Sequence, residues 1–222
     1  MRAVSANLQH GVPTPPGPPD LARALPALAV LAGDVYAFQE LDRGMARSGR
    51  QDQPGLLAEH LGGELVWAPA LERGTGRYGI ALVVRGAVHA SRSLALPGGG
   101  EPRRLIVAEV EVDGRRWTVA TTHLSNRDRV QAERQLYACF DELAAWPAPL
   151  VLMGDLNLST ERVLPHSTAE GYRLVEGPPT IDVRRRLDRR IDHLLLRRAG
   201  ATDAGTARLP VSDHLAVWAD LV

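Results

Sequence analysis

The segment Gly154-Asp155-Leu156-Asn157 carries a carboxylate and an amide two positions apart, directly after an apolar run. That run, residues 149–153, predicts a buried strand, and the glycine after it permits a sharp turn. Side chains two positions apart on an extended segment point the same way. Asp155 could therefore orient a water molecule while Asn157 binds a phosphoryl oxygen. An Asx-rich turn without a chemical role is the alternative interpretation.

Other predicted strands end in polar side chains of the same kind. Asn7 closes the strand predicted over residues 3–8, and Glu40 closes the strand predicted over residues 34–40. Further polar residues at or within predicted strand ends are His123, Asp192, Asp213 and His214. Packing alone does not generate such a set, so convergence on one cleft is the economical explanation.

Length and composition predict one domain over residues 1–222 with ample apolar material for a core. Hydrophobic residues make up 45% and charged residues 23% of the chain, as in ordinary soluble proteins. The single cysteine, Cys139, cannot form an internal disulfide, and the chain opens on a strand pattern instead of a leader. We therefore expect a cytoplasmic protein without a membrane-spanning segment.

The formal net charge is +0, so the chain as a whole has no long-range attraction to a polyanion. Any contact with nucleic acid must be local. All 26 basic residues are arginine, and seven of them lie between Arg184 and Arg198. Because the planar guanidinium suits phosphate, this stretch could contact substrate; a solvated surface loop is the other interpretation.

Apolar patterning and turn residues predict more strands than helices. The further predicted strands are residues 65–69, 78–85, 105–112, 117–124, 191–196 and 215–222. Helices are expected over residues 20–31 and 54–61, and a long helix capped by Ser125 or Asn126 would bury Val130, Leu136, Tyr137, Phe140 and Leu143. Residues 72–77 read as a flexible loop. The mixture of hairpins and crossovers favours an α/β (α+β) fold with two sheets packed face to face and helices outside.

The ordered polar motifs resemble those of the endonuclease/exonuclease/phosphatase superfamily. They are Asn7, Gln39-Glu40, Thr122-His123-Leu124, Gly154-Asp155-Leu156-Asn157, Arg190-Ile191-Asp192-His193 and Ser212-Asp213-His214. Each motif alone is weak, but six in the family's order across the chain are strong. The resemblance implies a deoxyribonuclease I-like, four-layer α/β/β/α sandwich of two stacked mixed sheets. It also implies phosphoester hydrolysis with a divalent metal, usually Mg²⁺, with Mn²⁺ as an alternative.

The resemblance implies a metal site built on Glu40. Mg²⁺ favours one or two carboxylates together with water and substrate oxygens, which fits a carboxylate at a strand end. Asn7 would support the metal or the bound phosphate, and Asp213 would lend a further carboxylate or orient the neighbouring imidazole.

Catalytic roles implied by the resemblance fall to the remaining motif residues. Asp155 would position or deprotonate the attacking water, and Asn157 would bind phosphoryl oxygens. His214, held by Asp192, would accept the water's proton or, when protonated, stabilise the developing charge. His123 would be a second phosphate donor, as in the deoxyribonuclease I, sphingomyelinase and inositol phosphatase branches.

Histidines outside these motifs are not expected to act. His193 follows Asp192 but alternation turns it away, so a packing role is predicted. The histidines without a matching motif, predicted to be ordinary surface or loop residues, are His10, His60, His89 and His166.

The sequence therefore predicts a Mg²⁺-dependent phosphodiesterase, nuclease-like, that uses in-line attack of an activated water. A phosphomonoesterase or head-group phosphatase of the same fold is the alternative. A binding protein that kept the fold and lost catalysis is a third hypothesis. We expect a monomer that acts on a phosphoester substrate, with nucleic acid as one candidate, and without membrane contact.

Overall fold

The computed structural model describes residues 1–183 and 186–222 of the chain. The strands of that part are β1 (Arg2–Asn7), β2 (Val35–Arg43), β3 (Glu64–Arg73), β4 (Gly76–Val84), β5 (Ala87–Ala95), β6 (Arg104–Val112), β7 (Arg115–His123), β8 (Leu150–Asp155), β9 (Arg173–Leu174), β10 (Ile181–Val183), β11 (Arg186–Arg189), β12 (Asp192–Arg197), β13 (Ala201–Arg208) and β14 (Leu215–Leu221). Its helices are α1 (Leu25–Val30), α2 (Gln53–Leu61), α3 (Arg129–Ala144) and α4 (Thr160–Ala169).

The strands form two six-stranded mixed sheets. The first sheet has the order β13-β14-β1-β2-β4-β3, and the second has the order β5-β6-β7-β8-β12-β9. Within them, β1 runs parallel to β2 and β7 runs parallel to β8, while the other pairs are antiparallel. Strands β10 and β11 form a separate two-stranded ribbon.

Three apolar clusters hold the layers together. The central cluster joins the facing sides of the two sheets through residues such as Leu82 and Val119. A second cluster covers the first sheet with α1 and α2, and a third covers the second sheet with α3 and α4. The predicted four-layer α/β/β/α sandwich of two stacked mixed sheets is therefore confirmed.

Several local predictions were wrong in informative ways. Residues 72–77 are not a flexible loop but the tip of the β3–β4 hairpin. The cap of α3 is Asp128, whose side chain accepts a hydrogen bond from the Val130 N–H at 2.9 Å, instead of Ser125 or Asn126. Val130 and Tyr137 lie on the solvent side of α3, with 53% and 40% of their surface exposed.

Five strands (β5, β9, β10, β11 and β13) and one helix of the described part were not predicted, and β5 and β13 are the longest of those strands. β5 and β13 are sheet edges whose residues are mostly exposed or only partly buried, so they lack apolar alternation. α4 contains Pro165 and buries little, so its pattern did not predict a helix. The helix predicted over residues 20–31 begins as a 3₁₀ turn, Leu21–Ala24, before α1.

Strand register gathers the polar motifs at one end of the sandwich. His123 on β7 pairs with Asp155 on β8, which pairs in turn with Asp192 on β12. Gly154 has φ +149°, and a Cβ there would collide with the Thr122 carbonyl oxygen. Close approach of β7 and β8 beside the site therefore requires glycine at this position.

Candidate active site

Glu40 projects from a β-bulge and not from a strand end. The register between β2 and β4 shifts between Phe38 and Leu41, so that Gln39 and Glu40 together oppose a single residue of β4. Glu40 has φ +57°, a left-handed conformation that is uncommon for glutamate. The sequence prediction of a strand ending at Glu40 was therefore wrong, because β2 continues to Arg43.

At the bulge, the Gln39 side chain is buried between the sheets, whereas the Glu40 side chain is partly exposed. Gln39 is fully buried, and its amide donates to the Ser5 hydroxyl and, across the sheet interface, to the Thr121 hydroxyl at 3.0 Å. Glu40 keeps 23% of its side chain exposed. Gln39 thus ties the two sheets together beside the cleft.

Asn7 joins Glu40 to Asp155. Its amide nitrogen donates to one oxygen of each carboxylate, at 3.0 Å in both cases. Its amide oxygen accepts a hydrogen bond from the Gln9 backbone at 3.0 Å. The Asn7 oxygen already has a partner, so the residue acts here as a donor that spaces two carboxylates.

Asp155 is the centre of the cluster and is 1% exposed. One oxygen accepts the Asn157 N–H at 3.0 Å, and the other lies 3.4 Å from Nε2 of His123 and 3.8 Å from Nε2 of His214. Burial raises the pKa of Asp155 above its usual range, while His214 opposes the shift. A raised pKa makes this carboxylate a stronger base than an exposed aspartate.

His214 is oriented by a buried chain of hydrogen bonds. Its Nδ1 donates to Asp192 at 2.9 Å, and Asp192 accepts the Thr180 hydroxyl at 2.6 Å. Nε2 is left facing Asp155. Burial alone would lower the pKa of His214, but the carboxylates of Asp192 and Asp155 outweigh it and raise the pKa. His214 is therefore held as an imidazolium.

His123 lies on the opposite side of Asp155, and its pKa is shifted in the opposite direction from that of His214. Arg103, also buried, donates to Nδ1 of His123 at 3.0 Å and pairs with Glu101 at 2.9 Å. Since a guanidinium only donates, Nδ1 must accept, which places the imidazole proton on Nε2. Burial, together with the Arg103 charge, lowers the pKa of His123 to about 3. His123 is thus a neutral donor aimed at the cleft.

Asn157 and Asp213 lie at the edge of this cluster. Asn157 has φ +51°, and its amide donates to the Leu124 carbonyl at 3.0 Å. Asp213 keeps 43% of its side chain exposed and lies 4.0 Å from Nε2 of His214. Every site residue predicted from the sequence therefore falls in one region.

Sequence reasoning missed two site residues. His10, predicted to be an ordinary loop residue, lies 3.9 Å from Glu40 in a turn with φ +46°. No sequence signal distinguished it. Arg103 could have been found, because the two-residue Asp113-Gly114 turn fixes the β6–β7 register and brings the start of β6 beside the end of β7.

His193 is fully buried, and its Nε2 donates to the Leu158 carbonyl at 2.9 Å, which agrees with the predicted packing role. Burial lowers the pKa of His193 to about 4.

In the arginine-rich stretch, Arg184 and Arg185 lie outside the described residues. Arg190 is buried and donates to the carbonyls of Val175 and Pro178, so it supports a loop instead of facing solvent.

Two groups of side chains could hold a cation. Asp155, Asp192 and His214 offer ligand atoms that lie within 4.8 Å of one another. In that group, however, Asp192 already accepts two hydrogen bonds, and the carboxylates of Asp192 and Asp155 raise the pKa of His214, so a cation there would compete with a proton. Near Glu40, burial is outweighed by His10 and the Asn7 amide, which hold the pKa of Glu40 at about 2. An ionised oxygen donor at Glu40 suits a hard cation better.

No helix in the described part of the chain is long and apolar enough to span a membrane.

Several solved structures share the fold. An endonuclease/exonuclease/phosphatase from Beutenbergia cavernae is 23% identical, with a TM-score of 0.82 over 100% of this chain and 71% of its own. TDP2 of D. rerio, complexed with a single-stranded DNA product, is 18% identical with a TM-score of 0.75, over 100% of this chain and 98% of its own.

A mannosyl-6-phosphatase from Bacteroides thetaiotaomicron is 16% identical, with a TM-score of 0.70 over 100% of this chain and 99% of its own. No curated protein matches the sequence. The model of the Endonuclease/Exonuclease/phosphatase family matches residues 4–214. This match supports phosphoester hydrolysis as the general class of reaction. Since it extends over nearly the entire length, the chain belongs to the Endonuclease/Exonuclease/phosphatase family.

Proposed function

We propose that this protein is a divalent-metal-dependent phosphodiesterase that cleaves its substrate by in-line attack of an activated water. The observation that carries the proposal is the arrangement around one oxygen of Asp155. That oxygen lies 3.4 Å from a neutral imidazole and 3.8 Å from a charged one. A base placed between a neutral donor and a cation suits a reaction that builds charge on phosphoryl oxygens.

Asp155 acts as the general base in this proposal. Its raised pKa favours proton abstraction, and its contacts with Asn7 and the Asn157 N–H fix its orientation. His214 donates from Nε2 as an imidazolium, with Asp192 behind it to hold the ring. His123 donates from its neutral Nε2, and the Asn157 amide supplies a third donor to the phosphoryl oxygens.

Glu40 is the principal metal ligand in this proposal, with Asp213 and Asn7 in support. The donor set fits Mg²⁺, or Mn²⁺, because its charged members are oxygen ligands. Bound there, the cation would neutralise charge on the substrate's phosphoryl oxygens. Asn7 keeps Glu40 and Asp155 apart, so that one carboxylate serves the cation and the other serves the water.

The named neighbours bear on the substrate class. TDP2 was solved with a single-stranded DNA product, which favours a phosphodiester such as nucleic acid. The mannosyl-6-phosphatase keeps phosphomonoester hydrolysis as the second candidate. The same donors could bind a terminal phosphate as readily as a bridging one.

Hydrolysis of bis(4-nitrophenyl) phosphate and of 4-nitrophenyl phosphate, each with Mg²⁺, separates the two candidates. We expect the diester to be cleaved with the higher kcat/KM and activity to disappear when EDTA is in excess. Faster cleavage of the monoester would favour the phosphatase. Absence of turnover on both substrates and on single-stranded DNA would contradict the proposal.

A further inference from the structure

A cavity of about 200 Å³ adjoins the cluster on the side of Glu40 and His123, both of which line it. Its other charged side chains are the cations Arg47, Arg73 and Arg103 and the carboxylate Glu101. The volume is below the ~300–1,000 Å³ of a pocket for an entire small ligand. A cavity of this size, open to the reacting centre, suits one additional group of a substrate and not a complete second molecule.

Arg47 is held in place by an ion pair with a buried carboxylate. Its Nε and Nη2 donate to the two oxygens of Asp42 at 2.8 Å each, and Asp42 is fully buried while 45% of the Arg47 side chain is exposed. Gln53 fixes Asp42 in turn by accepting its backbone N–H at 2.8 Å. The two parallel hydrogen bonds to a fixed carboxylate determine the position of the guanidinium, while its remaining face stays open to the cavity.

The Arg47 guanidinium has donors left over for a ligand. Its Nη1 takes no part in the pair with Asp42, and the group lies 5.3 Å above the ring of Tyr78, which also lines the cavity. A planar guanidinium with free N–H groups, backed by an aromatic ring, is well suited to bind a phosphate group.

Arg73 supplies a second cation from the other wall. It ends β3 at the tip of the β3–β4 hairpin and is exposed. Arg103, by contrast, is occupied by Glu101 and His123. The cations that can meet a ligand here are therefore Arg47 and Arg73, with the apolar surfaces of Met45 and Leu71 beside them.

We propose that this cavity binds a second phosphate group of the substrate, separated by a short linker from the phosphate that is cleaved. The inference rests on the proposed function, because it takes the scissile phosphate to be bound at the cleft beside Asp155, where His123 and His214 can donate to it. It narrows the substrate class to compounds with two phosphates, such as an oligonucleotide or a sugar bisphosphate. Arg47 and Arg73 determine this specificity.

Calorimetric titration with two small ligands tests the proposal without requiring turnover. Propane-1,3-diol bisphosphate is symmetric, so either phosphate can occupy either position, and propyl phosphate is its counterpart with one phosphate. With free Mg²⁺ held constant, we expect the bisphosphate to bind at least tenfold more tightly. Equal affinity would overturn the proposal, even if hydrolysis of simple diesters proceeds as proposed.

Variants assign the effect to the cavity. Arg73→Gln, on the exposed hairpin, should reduce the advantage of the bisphosphate several-fold. Arg47→Gln would leave the buried Asp42 carboxylate unpaired, so the double variant Asp42→Asn/Arg47→Gln is measured as well and should behave like Arg73→Gln. Arg116→Gln, at the opposite end of the β6–β7 hairpin, is the matched control and should keep the full advantage. A full advantage in all variants would contradict the assignment.

Two natural bisphosphates distinguish the sources of the second phosphate. Tighter binding of thymidine 3′,5′-bisphosphate than of glucose 1,6-bisphosphate would assign the cavity to a nucleic-acid substrate, and the reverse order would assign it to a sugar phosphate. Failure of both to exceed thymidine 5′-phosphate and glucose 6-phosphate would overturn the proposal. If the wild-type protein bound bisphosphates more tightly than monophosphates but did not hydrolyse diesters, the result would instead count against the proposed function.

Discussion

The His123 and His214 sides of the cleft are built from the same residue type, but His123 is neutral and His214 is positively charged. Both imidazoles are buried, and both direct Nε2 toward the same oxygen of Asp155. Burial together with Arg103 at Nδ1 holds His123 neutral, whereas Asp192 at Nδ1, together with Asp155, outweighs burial and holds His214 protonated. The partner of the distant ring nitrogen thus decides what the near nitrogen can do.

Asp155 is common to both sides, so removing it or the charged imidazole should have the largest effect. We expect Asp155→Asn and His214→Ala each to lower kcat about 10³-fold or more. Steady-state kinetics with bis(4-nitrophenyl) phosphate measures the loss, and circular dichroism checks that the variants are folded. Near-normal rates in either variant would contradict the assigned roles.

Asp192→Asn should make His214 more like His123, because it favours the neutral form of the His214 imidazole. Without the Asp192 charge the pKa of His214 falls, so His214 loses its proton at lower pH. We expect kcat to drop about 10²-fold and the alkaline limb of the pH–rate profile to move to lower pH. Asp141→Asn, an exposed change on α3, is the control. An unchanged alkaline limb would show that His214 does not act as a cation.

Arg103→Gln should make His123 a poorer hydrogen-bond donor to the substrate. His123 should remain mostly neutral, because burial still lowers its pKa. We expect about a tenfold loss of kcat/KM, a rise in the pKa of His123 and a mixture of ring tautomers. Nitrogen-15 NMR of histidine-labelled protein reports the tautomer directly. Arg104→Gln, whose side chain donates to Ser93, is the neighbouring control. If His123 kept its proton on Nε2 in Arg103→Gln, Arg103 would have no positioning role.

Glu40→Gln should leave the charge states of His123 and His214 largely unchanged and should lower the affinity for Mg²⁺. We expect the Mg²⁺ concentration for half-maximal activity to rise about tenfold, because a neutral amide binds a hard cation more weakly. Titration of activity with Mg²⁺ measures this shift. An unchanged Mg²⁺ requirement would remove Glu40 as the principal ligand.

Buried neutral histidines should also affect stability, and this is the smallest expected effect. The pKa of His193 is about 4 in the folded protein, below the ordinary value near 6.5, so the unfolded chain binds more protons between those pH values. Stability should therefore fall as pH decreases from about 6.5 toward 4. Urea unfolding at pH 7 and pH 5 should show a smaller decrease for His193→Gln than for the wild type. Equal decreases would argue against a buried neutral His193.

Sequence reasoning could find the elements whose apolar runs are buried on both faces, such as β8, and the motif residues that follow them. It could not find the bulge at Glu40, because an extra residue in a strand leaves no mark on composition. It also gave His10 no role, since its position beside Glu40 depends on how a left-handed turn folds back. The different charge states of His123 and His214 depend on contacts between separate strands, which spacing along the chain does not reveal.

The bulge in β2 makes activity separable from architecture. Because two residues there oppose a single residue of β4, loss of one of them would restore an uninterrupted ladder and preserve every layer of the sandwich. Deletion of the Glu40 codon, which leaves Gln39 in place between the sheets, should therefore abolish the proposed activity while the protein keeps its fold. Homologues that differ by this single deletion are where non-enzymatic members of such a lineage should be sought.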